Sequence, residues 1–329
     1  MSSRPEQTVL EALDEPALIL SGRTLRAANK AALRLLGSNI VGRDIRLAIR
    51  HPHVLEILLA GKSADLAVVG IGGAERPWTV QVRPLEGEPA CLVRFVDRSE
   101  SIAAERMRVD FVANASHELR TPLATISGYA ETLAEPDVSP ELRQKFATTI
   151  SSEAARMLQI IEDLMSLSRI EANRFITPGG RCDLATIARQ AAVQIAPLAE
   201  RKSCEVQLDI DNGAATIVNA DQAQLLQAAD NLLSNAIRYG GSPILLSVGV
   251  EHGRPYLRVK DEGAGIAAVH LPRLTERFYR VDEARSRGAG GTGLGLAIVK
   301  HIVERHRGTL DIRSRPGAGT TVTISLPPA

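Results

Sequence analysis

Apolar residues recur at intervals of seven through the middle of this chain. Val112, Leu119, Ile126 and Leu133 hold that interval, and Leu123 and Ala130 fall four residues beyond two of them. Such spacing lays one apolar seam along a long helix. Residues 134–140 break the pattern with two prolines, and a second helix carries a like seam in Ile150, Ala154, Met157, Ile161, Leu164 and Ser168. Two amphipathic helices cannot bury both seams alone. The spacing therefore predicts a two-helix hairpin over 98–172 that forms a four-helix bundle with a second copy of the chain, a homodimer.

The pattern changes on either side. Residues 1–97 read as a small α/β domain, with strands expected at 17–20, 67–69, 78–82 and 91–96. A helix is expected over 27–36, with Gly37 as its stop, and Gly72-Gly73 reads as a turn. Pro178-Gly179-Gly180 marks the start of a third region, 178–329. Its strand-like segments at 206–210, 244–250, 256–259, 309–312 and 321–326 mix with helical ones. That mixture predicts an α/β sandwich, with helices on one face of a mixed sheet. The fold class is multidomain α+β.

Composition narrows the classes. At 329 residues there is room for two or three domains, and 44% hydrophobic residues can fill their cores. Aromatics are only 3%, so those cores are aliphatic. The 39 basic and 38 acidic residues leave a net charge of +1, so no global field recruits nucleic acid or a membrane surface. Cys91, Cys182 and Cys204 are far apart and odd in number, which fits neither a disulfide framework nor a metal spacing. No apolar run approaches the ~18 residues of a membrane span, and the start is no signal peptide. The expectation is a soluble cytoplasmic chain with no transmembrane segment, membrane-associated only as part of a longer protein.

The first candidate chemistry lies on the heptad helix. With Val112, Leu119 and Ile126 at position a, His117 takes position f and faces solvent, and Thr121 lies one turn on along the same side. Glu118 is adjacent and can accept the imidazole proton or orient the ring. Pro122 has no amide hydrogen, so the Glu118 carbonyl loses its helical partner, and a kink or loosened turn is expected there. Taken alone, His117 reads equally as a solvated histidine of a bundle.

The second lies in the C-terminal region. A helix is expected over 221–239, with Asp221 as N-cap, Gln224 completing a capping box and Gly240-Gly241 ending it. Leu225, Ala228, Leu232, Ala236 and Ile237 can face a core. Asn231 and Asn235 share a face although asparagine is a poor mid-helix residue, and carboxamide oxygens suit Mg²⁺ on a triphosphate. Asp261-Glu262-Gly263-Ala264-Gly265 follows a strand; its carboxylate can accept from an exocyclic amine, and its glycines let backbone approach a flat ring. The run from Gly288 to Gly295 opens a helix over 297–304 and makes a phosphate cradle. Gly288, Gly290 and Gly293 satisfy a dinucleotide fingerprint, but Arg285-Ser286-Arg287 precedes them rather than a strand, and too little chain follows. Arg273, Arg277, Arg280, Arg285 and Arg287 crowd the connecting segment, as suits a lid over phosphates. Each motif alone also reads as solvated asparagines, a strand-to-loop turn or a charged loop. Their order after a His-Glu helix is what makes them specific.

Together these motifs resemble those of the two-component sensor histidine kinases. SHELRTPL at 116–123 is similar to the phosphoacceptor box, NLLSNAIRY at 231–239 to the asparagine box and DEGAGI at 261–266 to the adenine box. RFYR at 277–280 resembles the aromatic lid box and GGTGLGLAI at 290–298 the second glycine box, with Arg238 standing where the family more often has lysine. Ala28-Asn29-Lys30-Ala31-Ala32, Leu36-Gly37 and Gly42-Arg43 resemble a PAS sensor domain. His51-Pro52 and residues 270–287 resemble the phosphate-regulon type of kinase. The resemblance implies ATP and Mg²⁺ held by Asn231, Asn235, Arg238, Tyr239, Asp261, Gly263, Gly265, Phe278, Gly291, Thr292, Gly293, Leu294 and Gly295, with Asn235 on the metal. It implies that His117 takes the γ-phosphoryl group, with Glu118 as base and Arg280 stabilising charge. The group then passes to an aspartate of a response regulator receiver domain, and Thr121 serves the reverse dephosphorylation, in phosphate-starvation signalling. Other readings remain: an ATP-gated conformational protein of the gyrase and Hsp90 kind, a catalytically silent scaffold, or a haem-binding PAS module using His51 or His53.

Overall fold

The computed structural model describes residues 4–73, 75–135, 137–173, 176–211, 213, 215–281 and 291–329, without the side chains of residues 4, 104 and 106–108. Two compact units divide the chain, Met1–Asp110 and Phe111–Ala329. Among the described residues no helix is long and apolar enough to cross a membrane.

In the first unit, helix α1 (Arg4–Glu11) precedes strands β1 (Ala17–Ser21) and β2 (Thr24–Ala28). Helices α2 (Lys30–Leu36) and α3 (Pro52–Ala60) follow, then β3 (Ala64–Val69), β4 (Pro77–Pro84) and β5 (Ala90–Asp97). The five strands form one antiparallel sheet in the order β2-β1-β5-β4-β3. Leu18, Leu20, Leu25, Ile45, Val54, Leu58 and Phe95 fill its core.

The expected helix over 27–36 begins later than its periodicity predicts. Ala27 and Ala28 pair instead with Ile19 and Leu18 in the sheet. Asn29 then caps α2. Its Oδ1 accepts from the amides of Ala32 at 2.8 Å and Ala17 at 3.0 Å, and its Nδ2 donates to the carbonyls of Leu10, Leu13 and Glu15. One buried carboxamide therefore satisfies five backbone groups. That network, together with strand pairing, outweighs the helical spacing of two alanines.

The helical hairpin consists of α4 (Ser99–Leu133) and α5 (Pro140–Ala172). Helix α4 runs on through Pro122, so the expected loosening does not end it. The Tyr129 and Phe146 rings stack between the two helices, with centroids 4.7 Å apart. Beyond lie β6 (Arg181–Asp183), α6 (Leu184–Arg201), β7 (Val206–Ile210), β8 (Ile217–Asn219) and α7 (Gln222–Tyr239). Strands β9 (Ile244–Glu251) and β10 (Arg254–Asp261), helix α8 (Gly295–Arg305), β11 (Thr309–Ser314) and β12 (Thr320–Ser325) complete the unit. The main sheet has the order β11-β12-β10-β9-β7, antiparallel except for the parallel β7–β9 pair. Burial alternates along β10, with Leu257 and Val259 inward, so one face is covered by α6, α7 and α8. The paired β6 and β8, three residues each, are too short for any pattern to announce them.

The hairpin buries a different stripe from the one its heptads mark. On α5 the buried residues are Ile160, Asp163, Leu167 and Ile170, and Leu167 and Ile170 join the core of the sandwich. The seam residues Val112, Leu123 and Ile161 stay exposed in the single chain, as do Leu158 and Met165. Helix α5 is thus apolar on two faces, one already covered and one open. Leu167→Ala should therefore lower the stability of the second unit by about 2–5 kcal/mol, because it opens a cavity in the shared core. Val193→Ala, on the exposed side of α6, should change it by less than about 0.5 kcal/mol. Hydrogen exchange of the α6 and α7 amides in the full chain reads both.

Candidate active site

Helix α7 is the backbone of the site. The Asp221 carboxylate accepts from the Gln224 amide at 3.2 Å, the first half of the expected capping box. The second half is replaced. The Asp221 amide donates to Nε2 of His306 at 3.0 Å, and Nδ1 of His306 donates to the Ile302 carbonyl at 2.7 Å. Burial pushes the His306 pKa down, so the neutral ring ties the start of α7 to the end of α8.

Along α7, Asn231, Ser234, Asn235, Arg238 and Tyr239 line a cavity of about 750 Å³. Asp261, Gly265 and Ile266 border it after β10, and Tyr279, Arg280, Gly291, Thr292, Gly293 and Gly295 close it from the other side. The Asp261 carboxylate is 7% exposed and accepts from the Gly263 amide at 2.9 Å. Burial raises its pKa, against the pull of backbone amides from Gly263, Thr320 and Gly241. Gly265 has φ +67°, and a Cβ there would run into the Arg315 carbonyl, so only glycine lets this loop pass.

The cavity is short of acceptors. Among the described residues, Nδ2 of Asn231 and both Nε and Nη2 of Arg280 are buried without a protein partner. The N-cap residue of α8 is Leu294, which has no side-chain acceptor to offer the amides of the first turn. On the α7 wall, Oδ1 of Asp230 is also unpartnered, and burial pushes that carboxyl up to about 6. Buried donors left unsatisfied are costly, and an anion rich in acceptor oxygens would satisfy several of them at once.

One cradle hydroxyl is already engaged. Thr292 Oγ1 donates to Asp163 Oδ2 on α5 at 2.7 Å, and Gln159 Nε2 donates to the other oxygen at 3.0 Å. Burial raises the Asp163 pKa, opposed by these two hydrogen bonds. Nearby, Arg277 pairs with Glu171 and lies 5.0 Å from the Phe111 ring centroid, and Ser166 donates to Gln227 at 2.9 Å. Phe278 turns its ring to Phe111, with centroids 6.0 Å apart, and its amide donates to the Gly293 carbonyl at 2.9 Å.

Of the residues expected at the nucleotide, ten line the cavity: Asn231, Asn235, Arg238, Tyr239, Asp261, Gly265, Gly291, Thr292, Gly293 and Gly295. Gly263, Phe278 and Leu294 stand behind its wall. Gly263 supports Asp261, Phe278 faces the hairpin, and Leu294 is fully buried at the start of α8. Arg280 lines the cavity, whereas Arg273 pairs with Glu276 and stacks on Tyr279. Arg285, Arg287, Gly288 and Gly290 lie outside the described residues. His117, Glu118 and Thr121 are not at the cavity. His117 is exposed, Thr121 donates its hydroxyl to the His117 carbonyl at 3.3 Å, and Glu118 pairs with Arg156 on α5 at 3.0 Å. Sequence reasoning missed Gln159, Asp163 and Asp230. For Asp163 a signal existed, an acid inside the stripe of Ile160, Leu167 and Ile170.

Comparison with known proteins agrees with this geometry. Residues 220–329 match the histidine kinase-, DNA gyrase B- and HSP90-like ATPase family, 107–173 the His Kinase A (phospho-acceptor) domain and 7–65 the PAS domain. The chain is 41% identical over 246 residues to the phosphate regulon sensor protein PhoR of Pseudomonas aeruginosa, covering 74% of this chain and 54% of that protein. It is 38% identical over 238 residues to the sensor-like histidine kinase SenX3 of Mycolicibacterium smegmatis, covering 72% of this chain and 62% of that one. The chain thus spans only about half to three fifths of these relatives' length. Among solved structures, the histidine kinase ThkA in complex with response regulator protein TrrA has a similar fold, with a TM-score of 0.54 at 20% identity over 98% of both chains. The histidine kinase AdeS of Acinetobacter baumannii shares the fold over 64% of this chain and 97% of that one, with a TM-score of 0.51 at 24% identity. A PAS domain, a phosphoacceptor hairpin and an ATPase sandwich follow one another in this order, with the adenine, asparagine and glycine boxes around one cavity, and the chain belongs to the sensor histidine kinases.

Proposed function

We propose that this chain is an ATP-dependent protein-histidine kinase that phosphorylates His117 and passes the phosphoryl group to an aspartate of a response regulator, with phosphatase activity toward that regulator. The supporting observation is one compact unit that holds both an anion-receptive cavity and, on a separate helix, an exposed histidine with a half-buried carboxylate beside it. A purely conformational ATPase or a silent scaffold has no use for that pair. Likeness to PhoR favours phosphate-responsive signalling, and the likeness to a kinase determined with its response regulator favours that class of partner. We place the domains at 1–97, 98–172 and 178–329, with the open seam of the hairpin covered by a second copy in a homodimer.

In this reading Asp261 accepts from the adenine amine, and Asn231, Arg280 and the α8 amides face the phosphates. The site fits a magnesium ion, because Asn231 and Asn235 present carboxamides from one face of α7 into the cavity. When bound there, Mg²⁺ neutralises phosphate charge. Arg280 offers its Nε and Nη2 nitrogens, unpaired among the described residues, to the transferring group. His117 is the nucleophile and Glu118 the base that takes the imidazole proton. Triphosphate that reaches the Thr292 hydroxyl displaces Asp163 from it. His117 lies away from the cavity, so the sandwich leaves its present seat on α5 before transfer.

Incubation with γ-labelled ATP should give a base-stable, acid-labile label, and His117→Gln should abolish it with ATP affinity nearly unchanged. Undiminished label on that variant would sink the assignment. Asn235→Ala should lose Mg²⁺-dependent ATP binding, and Asp261→Asn should weaken preference for adenine over guanine in nucleotide titrations. Thr121 is exposed and gives its only hydroxyl hydrogen to the His117 carbonyl, which leaves its lone pairs to accept from a water. Thr121→Ala should therefore cut dephosphorylation of the regulator by at least ~10-fold, about 1.4 kcal/mol, with autophosphorylation within a few fold of wild type. A parallel loss of both rates on one preparation would show instead that Thr121 only shapes the turn.

A further inference from the structure

The turn that carries His117 lacks one of its internal ties. Pro122 has no amide hydrogen, so the Glu118 carbonyl is without its helical donor. The Thr121 hydroxyl goes to the His117 carbonyl and not to that of Glu118. A loosened turn is a poor platform for an in-line transfer, where a small misplacement of the reacting groups is costly.

Arg156 supplies a tie from the side. Its Nη2 lies 3.0 Å from Glu118 Oε2, across the hairpin from α5 to α4. The Arg156 side chain is only 13% exposed against 32% for Glu118, so the guanidinium is the anchor and the carboxylate the group it holds. The acid on its own helix, Glu153, is more distant at 3.9 Å. Among the described residues no bond to Oε1 of Glu118 is present. The ion pair thus engages one carboxylate oxygen and leaves the other with its lone pairs.

We propose that Arg156 is a positioning residue for phosphoryl transfer. It grips Glu118 through Oε2 so that Oε1 stays presented to the His117 imidazole. As the bond between imidazole nitrogen and γ-phosphorus forms and the bond from that phosphorus to the leaving ADP oxygen breaks, the imidazole N–H proton passes to Oε1. The same grip stiffens the turn that Pro122 loosens. This inference rests on the phosphotransfer reading, with Glu118 as its base.

The test compares Arg156→Met, Arg156→Lys and Glu118→Gln on the full chain, with kcat and KM for ATP in autophosphorylation, melting temperature and dimer mass. Arg156→Met should lower kcat by ~10- to 100-fold, with KM for ATP and melting temperature unchanged. Arg156→Lys should recover to within ~3-fold, because the contact is single and a lysine ammonium can replace one N–H donor. Full kcat in Arg156→Met overturns the inference. So does a loss that tracks a falling melting temperature and that lysine does not repair, since Arg156 would then only staple the hairpin. An inactive Glu118→Gln beside a fully active Arg156→Met leaves the phosphotransfer reading standing and removes this one. A fully active Glu118→Gln removes Glu118 as base, and this inference falls with it.

Discussion

Packing of one face of α5 against the sandwich is the constraint on which the second unit depends. Leu167 and Ile170 enter the same core as Leu225, Leu233, Ile298 and Ile302. The apolar term is non-directional and holds the two parts together whatever the polar groups do. Polar contacts on that face set the register: Asp163 with Thr292, Glu171 with Arg277, and Ser166 with Gln227. Each of these six side chains has a partner, which is the condition for burying them at all. The arrangement also places a carboxylate against a hydroxyl of the glycine loop, where a phosphate oxygen would compete for the same donor.

The cavity shows a complementary imbalance. At one end Asp261 already collects backbone amides and Gly265 adopts a conformation closed to other residues. At the other end, among the described residues, Asn231 and Arg280 hold buried donors that meet no acceptor. In the proposed reading the base would meet prepared groups and the phosphates would meet groups that gain partners only on binding. The second gain is the larger, because an unpaired buried donor costs more than an average hydrogen bond contributes.

The hairpin carries two surfaces with different fates. Ile160, Leu167 and Ile170 are covered within the chain, whereas Val112, Leu123, Ile161 and Met165 are open. An apolar seam of that length has little use in water, which is why a second copy is its natural cover. His117 lies outside both surfaces, and Glu118 points across to Arg156. The turn that carries His117 is thus exposed and yet tied to α5 through its neighbour.

Local periodicity alone determined a good deal: the two long helices, four of the five strands of the first sheet and all five of the main second one, the solvent-facing position of His117 and the shared face of Asn231 and Asn235. These follow from spacings of seven, two and four, which depend only on backbone geometry. Motif order added the chemistry. Tertiary structure decided the rest. Ala27 and Ala28 became strand because Asn29 and the neighbouring β1 offered better bonds. Gln224 lost its side-chain capping role to His306, 85 residues from the Asp221 amide it accepts from, which no local pattern could reveal. Phe278 left the cavity for Phe111, and Asp163 entered it from another helix. Such outcomes are set by partners distant in sequence, and only the folded chain brings those partners within reach.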